Sequence, residues 1–260
     1  MIYTTFVCII ASIGAGFGTG FAGISTATII APLLIGLLDV PAYQAVGVAL
    51  AADVLASAAT ARTYARSKNI DIKNGLIMLV SVLVMTALAS VLASYMPDMT
   101  MSFFSVIMTS FLGLKFLVWP VTNTPEKHNE KTARRRIIES LVSGLYIGFI
   151  CGFIGAGGGM MMLFVLTSIL GYELKTAVGT SVFVMTFTAF TGAVSHIALG
   201  GIPSLFILVE CIVVTLIAAK GSAVIANHAP IEVLNKITGY LLLLTGLSMT
   251  ALQVYEHFFS

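Results

Sequence analysis

Apolar runs long enough to cross a lipid bilayer follow one another from residue 2 to residue 255 and leave room for little else. They cover residues 2–38, 43–62, 73–96, 99–121, 137–171, 175–198, 202–226 and 232–255. A helix needs about 20 predominantly apolar residues to span the hydrocarbon core. Inside that core its backbone must satisfy its own polar groups. Only 9% of the residues are charged, against about 25% in an ordinary soluble domain, so a water-facing surface cannot be covered. The expected fold is an all-α integral membrane protein. The opening stretch MIYTTFVCII has no basic n-region and is read as the first membrane segment, not as a secretory signal.

Several function classes drop out. The net charge of +2 resides in loops, so nucleic acid is not an expected partner. Cys8, Cys151 and Cys211 stand singly in apolar segments with no CxxC spacing, and are read as small buried hydrophobes. No HExxH, GxSxG or P-loop pattern is present, so no enzymatic activity, metal or cofactor is expected. GTGFAG (18–23), followed by Asp39, does match the dinucleotide fingerprint letter for letter. That motif requires a preceding strand and a solvent-facing βαβ unit. Here it lies within a membrane segment.

The chain repeats itself. Residues 16–71 set against 148–203 without a gap give about ten identities in about 55 positions, at a constant offset. GFGTGFAG falls on GFICGFIG, AVG (45–47) on AVG (177–179), Leu38 on Leu170 and Ile70 on Ile202. The strongly polar NTPEKHNEKTARRR separates the copies. The expected organisation is a membrane repeat over 1–122, a linker over 123–136 and a second repeat over 137–260.

The first block of each repeat is too long for one span. About 35 helical residues would reach about 50 Å, against a core of about 30 Å. Both blocks carry glycines in the middle, so each reads as two helical pieces folded back at a Gly-rich turn, giving about five elements per repeat. With that count all 13 Lys and Arg residues fall on one side, which the positive-inside rule makes cytoplasmic. The linker is then cytoplasmic and both termini lie outside. An odd number of elements makes the repeats inverted, and inverted repeats with broken helices at matching positions are the pattern of secondary transporters.

The second break reads GAGGG (155–159), with about 18 helical residues before it and about 12 after it. Bare N–H groups at the start of a short helix attract anions, and Gly155, Gly157, Gly158 and Gly159 let a small solute touch backbone. In the first repeat Gly23, Ser25, Thr26 and Thr28 occupy the corresponding turn, where hydroxyls either cap the helix or donate to an oxyanion. The alternative is that glycine serves close helix packing, which is preferred for the GxxxG pairs Gly14/Gly18, Gly16/Gly20 and Gly148/Gly152. Gln44 and the Thr180–Ser181 pair, at the starts of the following helices, join the candidate substrate-binding set. Back-bonding of the two hydroxyls within their helix is the competing reading.

Asp53 lies mid-span, where an ionisable group is costly and defaults to function. It is the candidate for proton coupling, with a structural partnership to a polar neighbour as the alternative. His196 is the second coupling candidate, with an interfacial or structural role as the alternative. Glu210 and Arg62 read more readily as interfacial groups.

These motifs resemble the sulfite exporter TauE/SafE family over about residues 5–250. GAGGG (155–159) carries most of the likeness, then AVGTS (177–181) and SHIALGGI (195–202). The first repeat departs from the family pattern, with GISTA (23–27) ahead of Pro32 and Val48–Ala49 in place of the T-S pair. The resemblance implies a transporter of sulfite, organosulfonates or related sulfur anions. The expectation is therefore an inner-membrane, multi-pass secondary transporter that exports such an anion by alternating access, with proton coupling through Asp53. The alternatives are a permease for another small anion, such as a carboxylate, and an anion channel of the same fold. The expected partners are the anion and the lipid bilayer. A homodimer is allowed by the sequence and required by no feature of it.

Overall fold

The computed structural model describes residues 2–93, 111, 113–120, 133–154, 158–200 and 204–259. Among these residues the secondary structure is entirely helical. The chain forms α1 (Ile2–Ala22), α2 (Ala27–Leu38), α3 (Ala42–Arg66), α4 (Ile72–Ala93), α5 (Ala133–Ile154), α6 (Gly158–Phe164), α7 (Leu174–Gly200), α8 (Leu205–His228) and α9 (Ile231–Phe259). Five of these helices, α1, α3, α4, α7 and α8, are long and apolar enough to cross a membrane. This is a multi-pass, all-α membrane protein.

The distribution of side chains fits lipid as the outer solvent. Large apolar groups such as Phe6, Ile10, Phe17, Val80, Leu88, Phe190 and Ile217 are exposed, while Asp53, Ser57, Thr60, Thr180 and Ser181 are buried. Hydrocarbon gives no incentive to hide leucine, but it cannot hydrogen-bond a hydroxyl, so the polar groups turn inward.

Small residues set the closest packing. α1 and α8 run side by side in the same direction, because a Cβ on Gly16 would meet Thr215 O and Ala219 N, and one on Gly20 would meet Ala219 O and Ser222 Oγ. α4 and α5 do the same, with Gly144 against Met78 O and Gly148 against Val82 O. Each contact is fastened by a hydroxyl: Ser222 Oγ donates to Gly16 O (3.1 Å) and Thr86 Oγ1 donates to Gly148 O (3.2 Å). Backbones this close gain dispersion contacts and a buried hydrogen bond, the usual means of helix association in lipid. The packing role expected for Gly16, Gly20 and Gly148 is therefore present.

α3 and α7 form a central antiparallel pair, with Leu50 against Gly192 at one end and Tyr64 against Gly179 at the other. The short helical run 113–118 packs on α9 through Gly113 and Gly239. Helix ends follow local chemistry. Gly23 and Gly171 stop their helices in the left-handed region, at φ 61° and 77°, which glycine enters without steric cost. Asp39 does so after α2 at φ 52°.

One boundary differs from the sequence expectation. α5 starts at Ala133, taking in Arg134–Arg136, because Arg135 pairs with Glu139 one turn on (3.0 Å) and extends the helix into the polar segment. The 99–121 block lies mostly outside the described residues.

Gly20→Ala is expected to lower the unfolding temperature of the purified protein, since the new methyl must displace Ser222 and α8 backbone; overpacking of this kind costs about 1–3 kcal/mol. Gly221→Ala is the control. None of the described residues lies within 4 Å of its Cβ position, and helix propensity alone should make that variant equal to or slightly more stable than the wild type.

Candidate functional site

The first long block does divide into two helices. α1 ends at Ala22, residues 23–25 are non-helical, and α2 begins at Ala27. The left-handed Gly23 turns the chain, Ile24 N–H returns to Gly18 O (3.2 Å), and Thr19 Oγ1 donates to Ile24 O (2.8 Å). Pro32 inside α2 removes the N–H that would otherwise bond the carbonyl of Thr28.

The N-terminus of α2 is capped from another helix. Asp53, near the middle of α3 and 1% exposed, accepts from Ser25 Oγ (2.6 Å) and Thr26 N–H (3.3 Å) on Oδ2, and from Ser57 Oγ (2.7 Å) on Oδ1. Thr26 Oγ1 donates to Ala49 O (2.6 Å), one turn earlier on α3. Ala27 N–H reaches back to Ser25 Oγ (3.4 Å). Every partner of the carboxylate here is a neutral hydroxyl or amide. The positive end of the α2 dipole supplies the attraction that a lysine or arginine would supply elsewhere.

The second repeat meets this turn directly. A Cβ on Gly159 would lie 2.5 Å from Gly23 O, 3.1 Å from Ser25 N and 2.6 Å from Met185 Sδ. One on Gly23 would strike Ser181 Oγ. The start of α6 thus rests on the turn after α1 and beside Met185 in the middle of α7. After α6 the helix widens into a π turn, Val165–Ile169, where Leu170 N–H bonds Val165 O (2.9 Å).

The candidate residues separate into groups. Gly23, Ser25, Thr26, Thr28, Gly159, Ser181 and Asp53 come together, and all five side chains are at most 8% exposed. Ser181 Oγ also back-bonds to Val178 O (2.8 Å). Thr180 faces a different neighbour: its Oγ1 accepts from Asp71 N–H (3.0 Å) in the α3–α4 loop. Gln44 is half-buried in the first turn of α3, about 13 Å along the helix from Asp53. His196 is about 16 Å along α7 from Met185, and its side chain is not among those described. Gly155 and Gly157 lie outside the described residues, and Gly158 is the first residue of α6. Arg62 is exposed, and Glu210 is half-buried with no partner for Oε2 among the described residues. Cys8 and Cys211 are free and buried.

Other participants escaped the sequence reading. Ser57 completes the carboxylate's shell, and its position one turn after Asp53 was a signal of sorts. Met185 aligns with Asp53 at the offset of the internal repeat, so the two copies carry a thioether and a carboxylate at matching places. A polar cluster beyond the Arg66 end of α3 joins the two halves. Tyr172 OH donates to Asp71 Oδ2 (2.9 Å), Asn69 Nδ2 to Asn227 Oδ1 (2.8 Å), and Lys175 Nζ to Asn227 O (2.7 Å). Nothing in local sequence pairs residues this far apart.

Comparison with known proteins gives consistent results. The profile of the family described as Sulfite exporter TauE/SafE matches residues 8–249. Among curated proteins, the Bacillus subtilis (strain 168) "Probable membrane transporter protein YunE" is 24% identical, covering 65% of this chain and 67% of its own length. The "Probable membrane transporter protein YdhB" of the same organism is 25% identical, covering 84% of this chain and 89% of its own. No solved structure matches.

Asp53→Ala is expected to destabilise the purified protein, because it leaves two buried hydroxyls and an amide without an acceptor, at about 1–3 kcal/mol for each unpaired group. Asp53→Asn keeps one acceptor and should fall between that variant and the wild type in a thermal unfolding series.

Proposed function

The chain belongs to the sulfite exporter TauE/SafE family, and on that premise we propose that it is a secondary transporter that exports a small sulfur-containing anion, such as sulfite or an organosulfonate. It works by alternating access between two inverted repeats, 1–122 and 137–260, joined by a cytoplasmic linker at 123–136. It resides in the inner membrane with both termini outside. The repeat reading draws support from the packing: α1 on α8 and α5 on α4 are matching pairs at the repeat offset, each with a hydroxyl on the carbonyl of the matching glycine. Membership of a family of membrane transporters argues against an enzyme.

The observation that carries the mechanism is the meeting of Gly159 with Gly23 and with Ser25, the residue whose hydroxyl bonds the Asp53 carboxylate. In the first repeat the helix N-terminus already holds an anion, the protein's own. The second repeat has Met185 at the matching place and glycines in place of Ser25 and Thr26, so its turn, Gly155–Gly159, is the one offered to the substrate. Backbone N–H groups and the Ser181 hydroxyl suit an oxyanion, and hold it without a fixed positive charge that would slow release.

Two negative charges about 8 Å apart at an effective dielectric of 20 repel by about 2 kcal/mol. A bound anion therefore favours the neutral form of Asp53, and proton and anion travel together. Outward movement draws on the anion's own gradient. For a dianion, it also draws on the residual negative charge that an inside-negative potential expels, at about 2.3 kcal/mol per charge per 100 mV.

The sign for pH follows. Neutral Asp53 repels the anion less, so affinity should rise as pH falls through its titration, by about 30-fold if the full 2 kcal/mol is realised. Asp53→Asn is neutral at every pH and should show the low-pH affinity throughout, a difference that titration calorimetry with sulfite at several pH values would read. Substrate class is tested by thermal stabilisation with sulfite, sulfoacetate, taurine, sulfate, thiosulfate and carboxylates, since a ligand at 100 times its Kd stabilises by about 2.7 kcal/mol. A shift with carboxylates and none with sulfur anions would replace the substrate. Single-channel currents would replace the carrier with a channel.

A further inference from the structure

Asp53 is the first member of a polar line along α3. Ser57, Thr60 and Tyr64 follow it, and at about 100° per residue the four side chains fall within an arc of about 60°. All four are buried, none more than 1% exposed, on a helix whose other positions between Asp53 and Ala61 are alanine, valine and leucine. The line starts at the carboxylate under the α1–α2 turn. It ends within one helical turn of the exposed Arg66, Ser67 and Lys68. Tyr64 OH donates to Gly20 O (2.9 Å), so its ring lies along the last turn of α1, beneath the same break.

Thr60 is the anomalous member. A threonine inside a helix ordinarily donates to the carbonyl four residues back, and Thr19, Thr63, Thr167 and Thr186 all do so here. Thr60 Oγ1 is fully buried and has no hydrogen-bond partner among the described residues, a state it shares with Thr215 and Thr238, but Thr60 stands in line with a buried carboxylate on its own helix. An unmade hydrogen bond of this kind costs about 1–3 kcal/mol. Water is the partner that fits, because a buried water binds two to four polar groups and the line offers them. Rungs three or four residues apart are separated by about 4.5–6 Å along the axis. Ser57 closes one such interval directly onto Asp53 (2.7 Å), but Thr60 bonds neither Ser57 nor Tyr64, and the intervals on its two sides are close to the span of two bonds through one water. Tyr64, leaning toward the helix N-terminus as helical side chains do, extends back toward Thr60.

We infer that Asp53, Ser57, Thr60 and Tyr64 are a proton path from the Arg66 end of α3 to the Asp53 carboxylate, with Thr60 its obligatory relay. The inference rests on the proton coupling proposed above and names its route. Ser57 Oγ gives its proton to Asp53 Oδ1, to which it is already bonded, and takes one from the water on its Thr60 side. That water is resupplied through Thr60 and then from the Tyr64 end. Each hydroxyl loses one proton and gains one, and the net change is one proton on Asp53. Groups on the neighbouring elements do not compete for this role. α1 carries no charged residue; Asp39 follows α2, Lys175 and His196 stand toward the ends of α7, Glu210 and His228 toward those of α8, and Lys220, nearer the middle of α8, is exposed.

The test follows the carboxyl C=O infrared band that Asp53→Asn abolishes, after a rapid pH jump on the purified protein in lipid. Thr60→Val keeps the shape and removes the hydroxyl; it is expected to slow Asp53 protonation at least tenfold while leaving the equilibrium titration of the band in place. Thr60→Ser, which keeps the hydroxyl, should restore the wild-type rate. Equal rates in Thr60→Val and wild type would overturn the path, as would a shifted equilibrium titration that accounts for the change in rate. A carboxyl band that never titrates removes both the path and the coupling. Loss of sulfite transport with normal infrared kinetics would count against the substrate reading alone.

Discussion

Three residues, Gly23 to Ser25, interrupt a helix inside a bundle whose outer solvent cannot form hydrogen bonds, and much of the central architecture can be traced to how that interruption is satisfied. A continuous helix through this block would have paired its own amides and carbonyls. Breaking it exposes the N–H groups at the start of α2, and in a low-dielectric interior each would cost several kcal/mol if left alone. The chain answers with Asp53, an acceptor with two oxygens, brought from the middle of α3. The carboxylate is itself expensive in that place. The hydroxyls of Ser25 and Ser57 and the positive end of the α2 dipole offset its burial. Break and charge justify each other, and removing either leaves the other uncompensated.

That mutual arrangement fixes what surrounds it. Because Asp53 must reach the turn, α3 runs through the centre with its small residues, Ala45, Ala49, Ala52 and Ala56, fully buried. Because Gly159 must fit beneath Gly23 O, α6 can start there only with a residue that lacks a side chain. The close pairs α1–α8 and α4–α5 brace the two sides, held by glycine contacts and by single hydroxyls on glycine carbonyls. The resulting centre has one charged half and one neutral half. The two copies differ at this point, with Asp53 in the first and Met185 at the matching place in the second.

The sequence reading and the structure part company in informative places. The membrane class, the helical content, the broken first block and the importance of Asp53 could all be read from hydropathy, glycine spacing and the cost of an intramembrane acid. Ser25 and Thr26 were legible as cap residues, and they are found at the cap, but with an acidic partner that no local pattern could supply. Thr180 and Ser181, adjacent in sequence, are separated in purpose because neighbours on a helix point about 100° apart: one faces the turn and the other the α3–α4 loop. Thr60 reads as any threonine in a helix, and only the structure shows its hydroxyl without a partner among the described residues.

What the sequence determined by itself was the solvent. With so few charges and so many long apolar runs the chain had to be a helical membrane protein, because lipid permits no other use of such segments, and each polar residue inside them had to turn inward. Which polar groups would then meet was decided only by tertiary structure. Ser25 and Asp53 are far apart along the chain, as are Gly23 and Gly159, and their meeting depends on which glycine faces allow two backbones to approach. Periodicity can say that a helix has a small-residue face. The partner that fits that face is settled by packing the whole bundle at once.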